Sequence, residues 1–249
     1  MFLISQNLVI IESNLNKNLS FWSMTYELLE RVRYEKFWST TGSKFSKDSS
    51  AYTSAVPSPT VVGFAKFLRS EGVSGRVLDL GCGNGRNIIY LIKQGFEGYG
   101  VDVAPSAISI AEKNAHMNKV MCNFKVGSAF RLRYPASFFD VLVDFGCLHH
   151  LRRSEWNKYL ANIARVLKKD GYYFLYCFSL NSGHLSKFSP KSKRRNWTLR
   201  EGGHYNNFFT VRAIKQLFAK NFQIIKHYEF TKTEGPILFW VFYMKRKPL

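Results

Sequence analysis

The stretch Asp79-Leu80-Gly81-Cys82-Gly83-Asn84-Gly85 decides the fold. It follows a short apolar run, residues 76–80, which reads as a buried strand. It precedes residues 87–94, where Ile88, Ile89, Leu91 and Ile92 share a helical face and Gly95 suits the C-terminal cap. Glycine is needed where backbone must turn sharply and pass close to a ligand. Gly81, Gly83 and Gly85 therefore sit at the carboxyl edge of a sheet, where open α/β folds bind ligands. The next strand, residues 98–103, carries Asp102 near its end, 21 residues after Gly81. A carboxylate there is placed to accept hydrogen bonds from both hydroxyls of a ribose. A dinucleotide fingerprint would need its third glycine at position 86, where the chain has Arg86 instead.

Outward from this unit the pattern stays regular. Pro105 opens a helix that runs to about Met117, followed by a strand at 123–126. Residues 139–145 form a strongly apolar strand around Asp144. Ser154 suits the N-cap of a helix carrying Trp156, Leu160, Ile163 and Leu167, with Gly171 closing it before a strand at 172–178. Strands alternating with helices imply a parallel sheet covered on both faces, an α/β fold. Thr210 is expected to cap a helix with Val211, Ile214, Leu217 and Phe218 on one side. Strands at 223–230 and 237–244 are joined by a short connection and should form an antiparallel hairpin.

The division predicted is an N-terminal extension and lid at 1–60, then one domain at 61–249 with a basic, substrate-side insertion at about 180–207. Within the extension, residues 25–37 suit a helix with Leu28, Leu29, Val32 and Phe37 on one face. Tyr34, Phe37, Trp38 and Tyr52 are candidate lid aromatics.

Composition narrows the class. The chain has 249 residues, 46% of them hydrophobic, enough to cover a sheet on both faces. No apolar run reaches the roughly 18 residues that span a bilayer, so no membrane partner is expected. The first residues lack a basic n-region, so no signal peptide is expected. The four cysteines form no C-x-x-C pair. They read as reduced thiols of a cytoplasmic protein, with no metal site. The net charge of +19 is compatible with nucleic acid, an anionic surface or an acidic substrate. Its densest cluster is Lys187, Lys191, Lys193, Arg194, Arg195 and Arg200.

The string V-L-D-L-G-C-G-N-G, residues 77–85, together with G-V-D-V-A-P-S-A-I, residues 100–108, resembles the class I S-adenosylmethionine-dependent methyltransferases. The resemblance implies a Rossmann-like, seven-stranded, mostly parallel sheet with a C-terminal antiparallel hairpin. It implies S-adenosyl-L-methionine as cofactor. Asp79 would anchor the methionine amino group, with Gly81, Cys82, Gly83 and Gly85 along the methionine portion. Asp102 would hold the ribose and Val103 lie near the adenine. The family usually has an acidic residue after the third strand; here Gly127-Ser128-Ala129 carries no carboxylate, and its backbone and the Ser128 hydroxyl would substitute. Asp144 and Phe145 would face the cofactor.

Methyl transfer needs an aligned nucleophile, exclusion of water and sometimes a base. The candidates are Asp144, His149, His204 and Tyr205. For His149 and His150 the plainer role, packing beneath the loop, is favoured because neither has a visible metal partner. Asp144-Phe145-Gly146-Cys147 does not match the Asn/Asp-Pro-Pro-Tyr/Phe loop of many base-amine and glutamine methylating enzymes. Three functions remain: methylation of a small-molecule acceptor, methylation of RNA through the 187–200 stretch with Trp197 for stacking, and a non-catalytic cofactor-binding partner subunit. The oligomeric state is left open.

Overall fold

A computed structural model describes residues 26–40, 54–182, 196–199, 205–231 and 237–248. The extension contributes α1 (Tyr26–Thr40), and the domain opens with α2 (Pro59–Ser70). There follow β1 (Arg76–Leu80), α3 (Arg86–Lys93), β2 (Glu97–Asp102), α4 (Pro105–Met117), β3 (Cys122–Val126) and β4 (Phe139–Phe145). Two 3-10 turns, Leu148–His150 and Arg153–Glu155, lead into α5 (Trp156–Val166) and β5 (Leu167–Phe178). The remaining elements are β6 (Trp197–Leu199), β7 (Tyr205–Asn207), α6 (Val211–Phe218), β8 (Phe222–Thr231) and β9 (Leu238–Arg246).

Seven strands form one sheet in the order β3-β2-β1-β4-β5-β9-β8, and β6 and β7 make a separate pair. β1 lies between β2 and β4, all parallel, with Asp79 opposite Gly100 and Val143. β9 is antiparallel to both β5 and β8, as the hairpin reading requires. Side-chain alternation sends Val77, Val141, Val143, Phe174 and Tyr176 into one core with Val61, Phe64 and Leu68 of α2 and Ile88 and Leu91 of α3. Leu78, Leu80, Leu142, Tyr173 and Leu175 enter the opposite core with Tyr159 and Ile163 of α5 and Ile214 and Phe218 of α6. Central strands buried on both faces favour apolar side chains at successive positions, as in residues 141–143 of β4 and 172–178 of β5. Thr210 caps α6 by accepting from the Ala213 N–H at 3.1 Å. Among the described residues no helix is long and apolar enough to cross a membrane.

Three local expectations change. α5 ends at Val166, and Gly171 lies inside β5. The β5 chain bulges there: Asp170 has φ 60°, and pairing with β4 shifts register between Phe139 and Val141. A Cβ at Gly171 would meet Leu167 Cδ1 at 2.8 Å, so this glycine serves close packing within the strand. Ser154 falls inside a 3-10 turn and makes no cap. On α1 the buried residues are Leu29, Glu30 and Trp38, while Leu28 is exposed.

Asp144 is the largest departure. Alternation along β4 turns it toward the α5 core, and it is fully buried. Its Oδ1 accepts from the Cys147 N–H at 2.6 Å and its Oδ2 from the Leu148 N–H at 3.0 Å. The Tyr159 hydroxyl also donates to Oδ2, at 2.5 Å, and the Tyr173 hydroxyl in turn donates to Tyr159 at 2.7 Å. This carboxylate holds the turn after β4 from beneath. Burial pushes its pKa up to about 6, against the opposing effect of these hydrogen bonds.

Thr210→Ala should lower stability by about 1 kcal/mol, read from the urea midpoint. Asp144 holds a proton in the folded chain at pH values where the unfolded chain has lost it. Its contribution to stability therefore falls as pH rises from about 4, the ordinary aspartate range, to about 6. Asp144→Asn should flatten the urea-midpoint profile across that window; a profile parallel to the parent's refutes the assignment.

Candidate functional site

The glycine turn after β1 is shaped by three residues with positive φ: Gly81 at 68°, Gly83 at 54° and Gly85 at 78°. Side chains disfavour this region, which is why the turn is glycine-rich. The turn is braced by side-chain amides. Asn84 Nδ2 donates to the Ser54 carbonyl at 2.9 Å, and Asn114 Nδ2 donates to the Asn84 carbonyl at 2.9 Å. Asp102, at the end of β2, ties the turn to the next element. Its Oδ2 accepts from the Gly83 N–H at 3.0 Å and its Oδ1 from the Ala104 N–H at 2.9 Å. A carboxylate offers about four acceptor sites, so Asp102 keeps capacity for an incoming hydroxyl. Burial raises the Asp102 pKa to about 6, and the backbone hydrogen bonds work against that rise.

Asp79 lies behind the turn, 1% exposed, and its Oδ2 has no hydrogen-bond partner among the described residues. Burial, then the nearby charges of Asp144 and Asp102, push its pKa well up, and Arg86 opposes them. Leaving such an acceptor unsatisfied is costly, so the position suits a ligand that brings a cation or a strong donor.

Above the turn is a cavity of about 280 Å³. Its floor is Gly81, Asp102, Val103, Gly127, Ser128 and Ala129; one end is Phe145, Gly146, Cys147 and His150. Its roof is α1, through Glu27, Glu30, Tyr34, Phe37 and Trp38. Two contacts clasp this roof. Glu35 accepts from the Ser106 N–H at 2.9 Å and from the Ser106 hydroxyl, at the start of α4. Trp38 lies on the glycine turn, so close that a Cβ at Gly83 would meet Cζ2 at 2.6 Å. Tyr34, Phe37 and Trp38 also pack against Ala104, Ala107 and Ile110, so these aromatic contacts set the face that α1 buries, and Leu28 is left exposed.

The cavity wall thus brings together Gly81, Asp102, Val103, Gly127, Ser128, Ala129 and Phe145. Asp79, Cys82, Gly83 and Gly85 stand just behind it. His149 is fully buried and stacks on Phe178 at 4.0 Å, beneath the loop. His150, not His149, reaches the wall. Its Nδ1 lies 2.9 Å from the Tyr205 carbonyl, which only accepts, so Nδ1 carries the hydrogen. In a neutral His150, Nε2 then accepts from His149 Nε2 at 3.0 Å. Both ring nitrogens of His150 are engaged. Tyr205 packs outside the wall: its ring meets Trp197 at 5.8 Å and the Arg152 guanidinium at 5.6 Å. His204 and Tyr52, and Lys187, Lys191, Lys193, Arg194, Arg195 and Arg200 of the basic stretch, lie outside the described residues.

Sequence reasoning missed Glu30, a buried carboxylate on the roof whose pKa burial raises despite its ion pair with Arg33 at 2.9 Å. The signal was present: Glu27, Glu30, Tyr34, Phe37 and Trp38 recur at helical spacing. That stripe mixes carboxylates with aromatics, so a search for apolar periodicity passes over it.

Comparison with known proteins agrees with this geometry. A family model described as a methyltransferase domain matches residues 77–171, from β1 to the bulge of β5. An uncharacterized methyltransferase of Schizosaccharomyces pombe is 32% identical over 121 residues, 49% of this chain and 78% of that protein. Among solved structures, an S-adenosylmethionine-dependent methyltransferase of Methanosarcina mazei is 26% identical, with a TM-score of 0.62 over 70% of this chain and 93% of that one. The Burkholderia thailandensis 1,6-didemethyltoxoflavin-N1-methyltransferase, solved with 1,6-didemethyltoxoflavin and S-adenosylhomocysteine, has a TM-score of 0.69 at 19% identity over 90% of this chain and 89% of that one. With the glycine turn, the buried carboxylate of Asp102 and the seven-stranded sheet all in place, the chain belongs to the class I S-adenosylmethionine-dependent methyltransferases.

Proposed function

We propose that the chain methylates a small-molecule acceptor, with the methyl donor lying along the carboxyl edge of β1, β2 and β3 beneath α1. The observation that carries this reading is the α1-roofed cavity above Gly81 and Asp102, with the unsatisfied Asp79 carboxylate behind it. Asp102 would take the ribose hydroxyls on its remaining lone pairs. Val103 and the 127–129 backbone, with the Ser128 hydroxyl, would border the adenine. Asp79 would receive the ammonium group. When bound, S-adenosylmethionine supplies an electrophilic methyl on a sulfonium.

The acceptor would enter at the end bounded by Phe145, Gly146, Cys147, His150 and Leu151. This end is apolar, and α1 keeps water from it, which favours displacement at the sulfonium. A cavity closed by a helix suits a compact acceptor, like that of the Burkholderia neighbour. Glu30 is our candidate for accepting a proton from the nucleophile, in place of Asp144, whose oxygens are occupied by the turn it supports. His149 and Tyr205 would act by positioning His150 and the β7 backbone. Four cysteines, none bonded to another, support a reducing, cytoplasmic setting.

Isothermal titration with S-adenosylmethionine tests the site. The parent should bind; Asp102→Ala and Asp79→Asn should each weaken binding at least about tenfold, a loss of roughly 1.4 kcal/mol, with unchanged circular dichroism. Equal affinity in Asp102→Ala would sink the site assignment. Trp38→Phe should also remove most of the tryptophan emission change on titration, because the indole rests on the cofactor turn. A screen of acceptor classes, read by release of S-adenosylhomocysteine, then separates a transferase from a partner subunit.

A further inference from the structure

A second, larger cleft of about 520 Å³ opens between α1 and the segment that runs from β3 toward β4. It shares Val101, Val103, Gly127 and Ser128 with the cofactor cavity, so the two are continuous at the adenine end of the proposed donor site. Its walls carry four cations from three parts of the chain: Arg31 of α1, Lys125 of β3, and Arg131 and Arg133 of the following loop. All four are exposed. The one carboxylate lining this cleft is Glu27, whose Oε2 is 4.0 Å from Arg131. Below them lies Tyr134, 8% exposed, its hydroxyl buried without a hydrogen-bond partner among the described residues and its ring 4.9 Å from Lys125 Nζ.

Cations from separate elements converge here at a cost in mutual repulsion, and the acid nearest them neutralises only one. Because they are exposed, each interacts with a lone phosphate weakly, through high-dielectric solvent. A chain of phosphates gains from all of them at once, by releasing its condensed counterions. The site is a concave cleft of about 520 Å³, which fits neither a flat bilayer surface nor the bulk of a duplex. The donors present, three guanidinium forks and one ammonium, match phosphate oxygens in geometry and charge. We propose that this cleft docks the phosphate backbone of single-stranded nucleic acid across the mouth of the cofactor cavity. The inference goes beyond the transferase reading. It stands on charge and shape and holds whichever acceptor takes the methyl group.

The test uses the full chain and fluorescein-labelled single-stranded RNA and DNA of about twelve nucleotides, within the usual site size. Fluorescence anisotropy is followed from about 50 to 200 mM salt, the range over which phosphate contacts are lost. The parent should bind one or both. Lys125→Ser/Arg131→Ser/Arg133→Ser should bind more weakly, with the slope of log K against log salt flatter by about 2, or roughly 0.7 per contact removed. No binding by the parent overturns the proposal. So does an unchanged slope and affinity in the triple variant, which would place binding elsewhere, including on Lys191, Arg194 and Arg195. Phosphatidylserine vesicles captured through these residues, with no oligonucleotide bound, would also overturn it. Titration with S-adenosylmethionine in the same preparations separates the two readings. A triple variant that keeps cofactor affinity is folded. A parent that binds oligonucleotide but not cofactor leaves the cleft standing while the donor site falls.

Discussion

The carboxylate of Asp102, at the end of β2, ties the glycine turn to the start of α4. One oxygen holds the glycine turn that follows β1, and the other holds the backbone that starts α4. The position is buried, so backbone N–H groups are what favour its charge, and the charge in turn holds the turn together with the Asn84 and Asn114 amides. Everything on the cavity floor inherits its position from that exchange. So does the roof, because α1 is clasped to Ser106 in the first turn of α4 and to Gly83 in the glycine turn.

The parts legible from sequence were those set by short-range spacing. Strand, glycine turn and helix lie within about twenty residues, and Asp102 follows at the length of one strand-helix-strand unit. The antiparallel hairpin was legible for the same reason, since a short connection leaves no room for a crossover. What spacing leaves open is which face a residue takes. Asp144 resembles a site residue by its place at the end of β4, yet two-residue alternation turns it to the α5 side, where Tyr159 and Tyr173 receive it. The adjacent histidines were indistinguishable in sequence; the 3-10 turn buries His149 and presents His150. Gly171 read as a helix stop because close packing and chain reversal call for the same residue. The α1 stripe escaped because its inward face is neither uniformly apolar nor uniformly polar.

Charge is distributed unevenly between inside and outside. The chain carries a net +19, yet the carboxylates of Asp79, Asp102, Asp144 and Glu30 are all buried, Asp102 and Glu30 on the wall of one cavity. Arg86 is the cation drawn in among them: it is buried, hydrogen-bonded to the Val56 carbonyl at 3.2 Å and 5.4 Å from the Phe145 ring. A negative interior behind a positive rim attracts a cationic donor at short range while the rim attracts anions from farther away. The two fields meet at Gly127 and Ser128, which border both cavities.

β9 follows every other strand of the main sheet in chain order but lies between β5 and β8. Before it arrives, β5 has a bare edge, with Tyr173, Leu175 and Cys177 of one core and Phe174 and Tyr176 of the other facing no neighbour. Folding therefore cannot proceed strand by strand from the amino end. The half that holds the glycine turn can assemble from nearby contacts, but the centre of the sheet waits for its most distant partner. Such contacts are slow to form, and an unpaired apolar edge invites pairing with another chain. For this protein the interval during synthesis between the emergence of β5 and of β9 is the period of greatest exposure to misassembly, and the strand that ends it is the one farthest in sequence from the glycine turn.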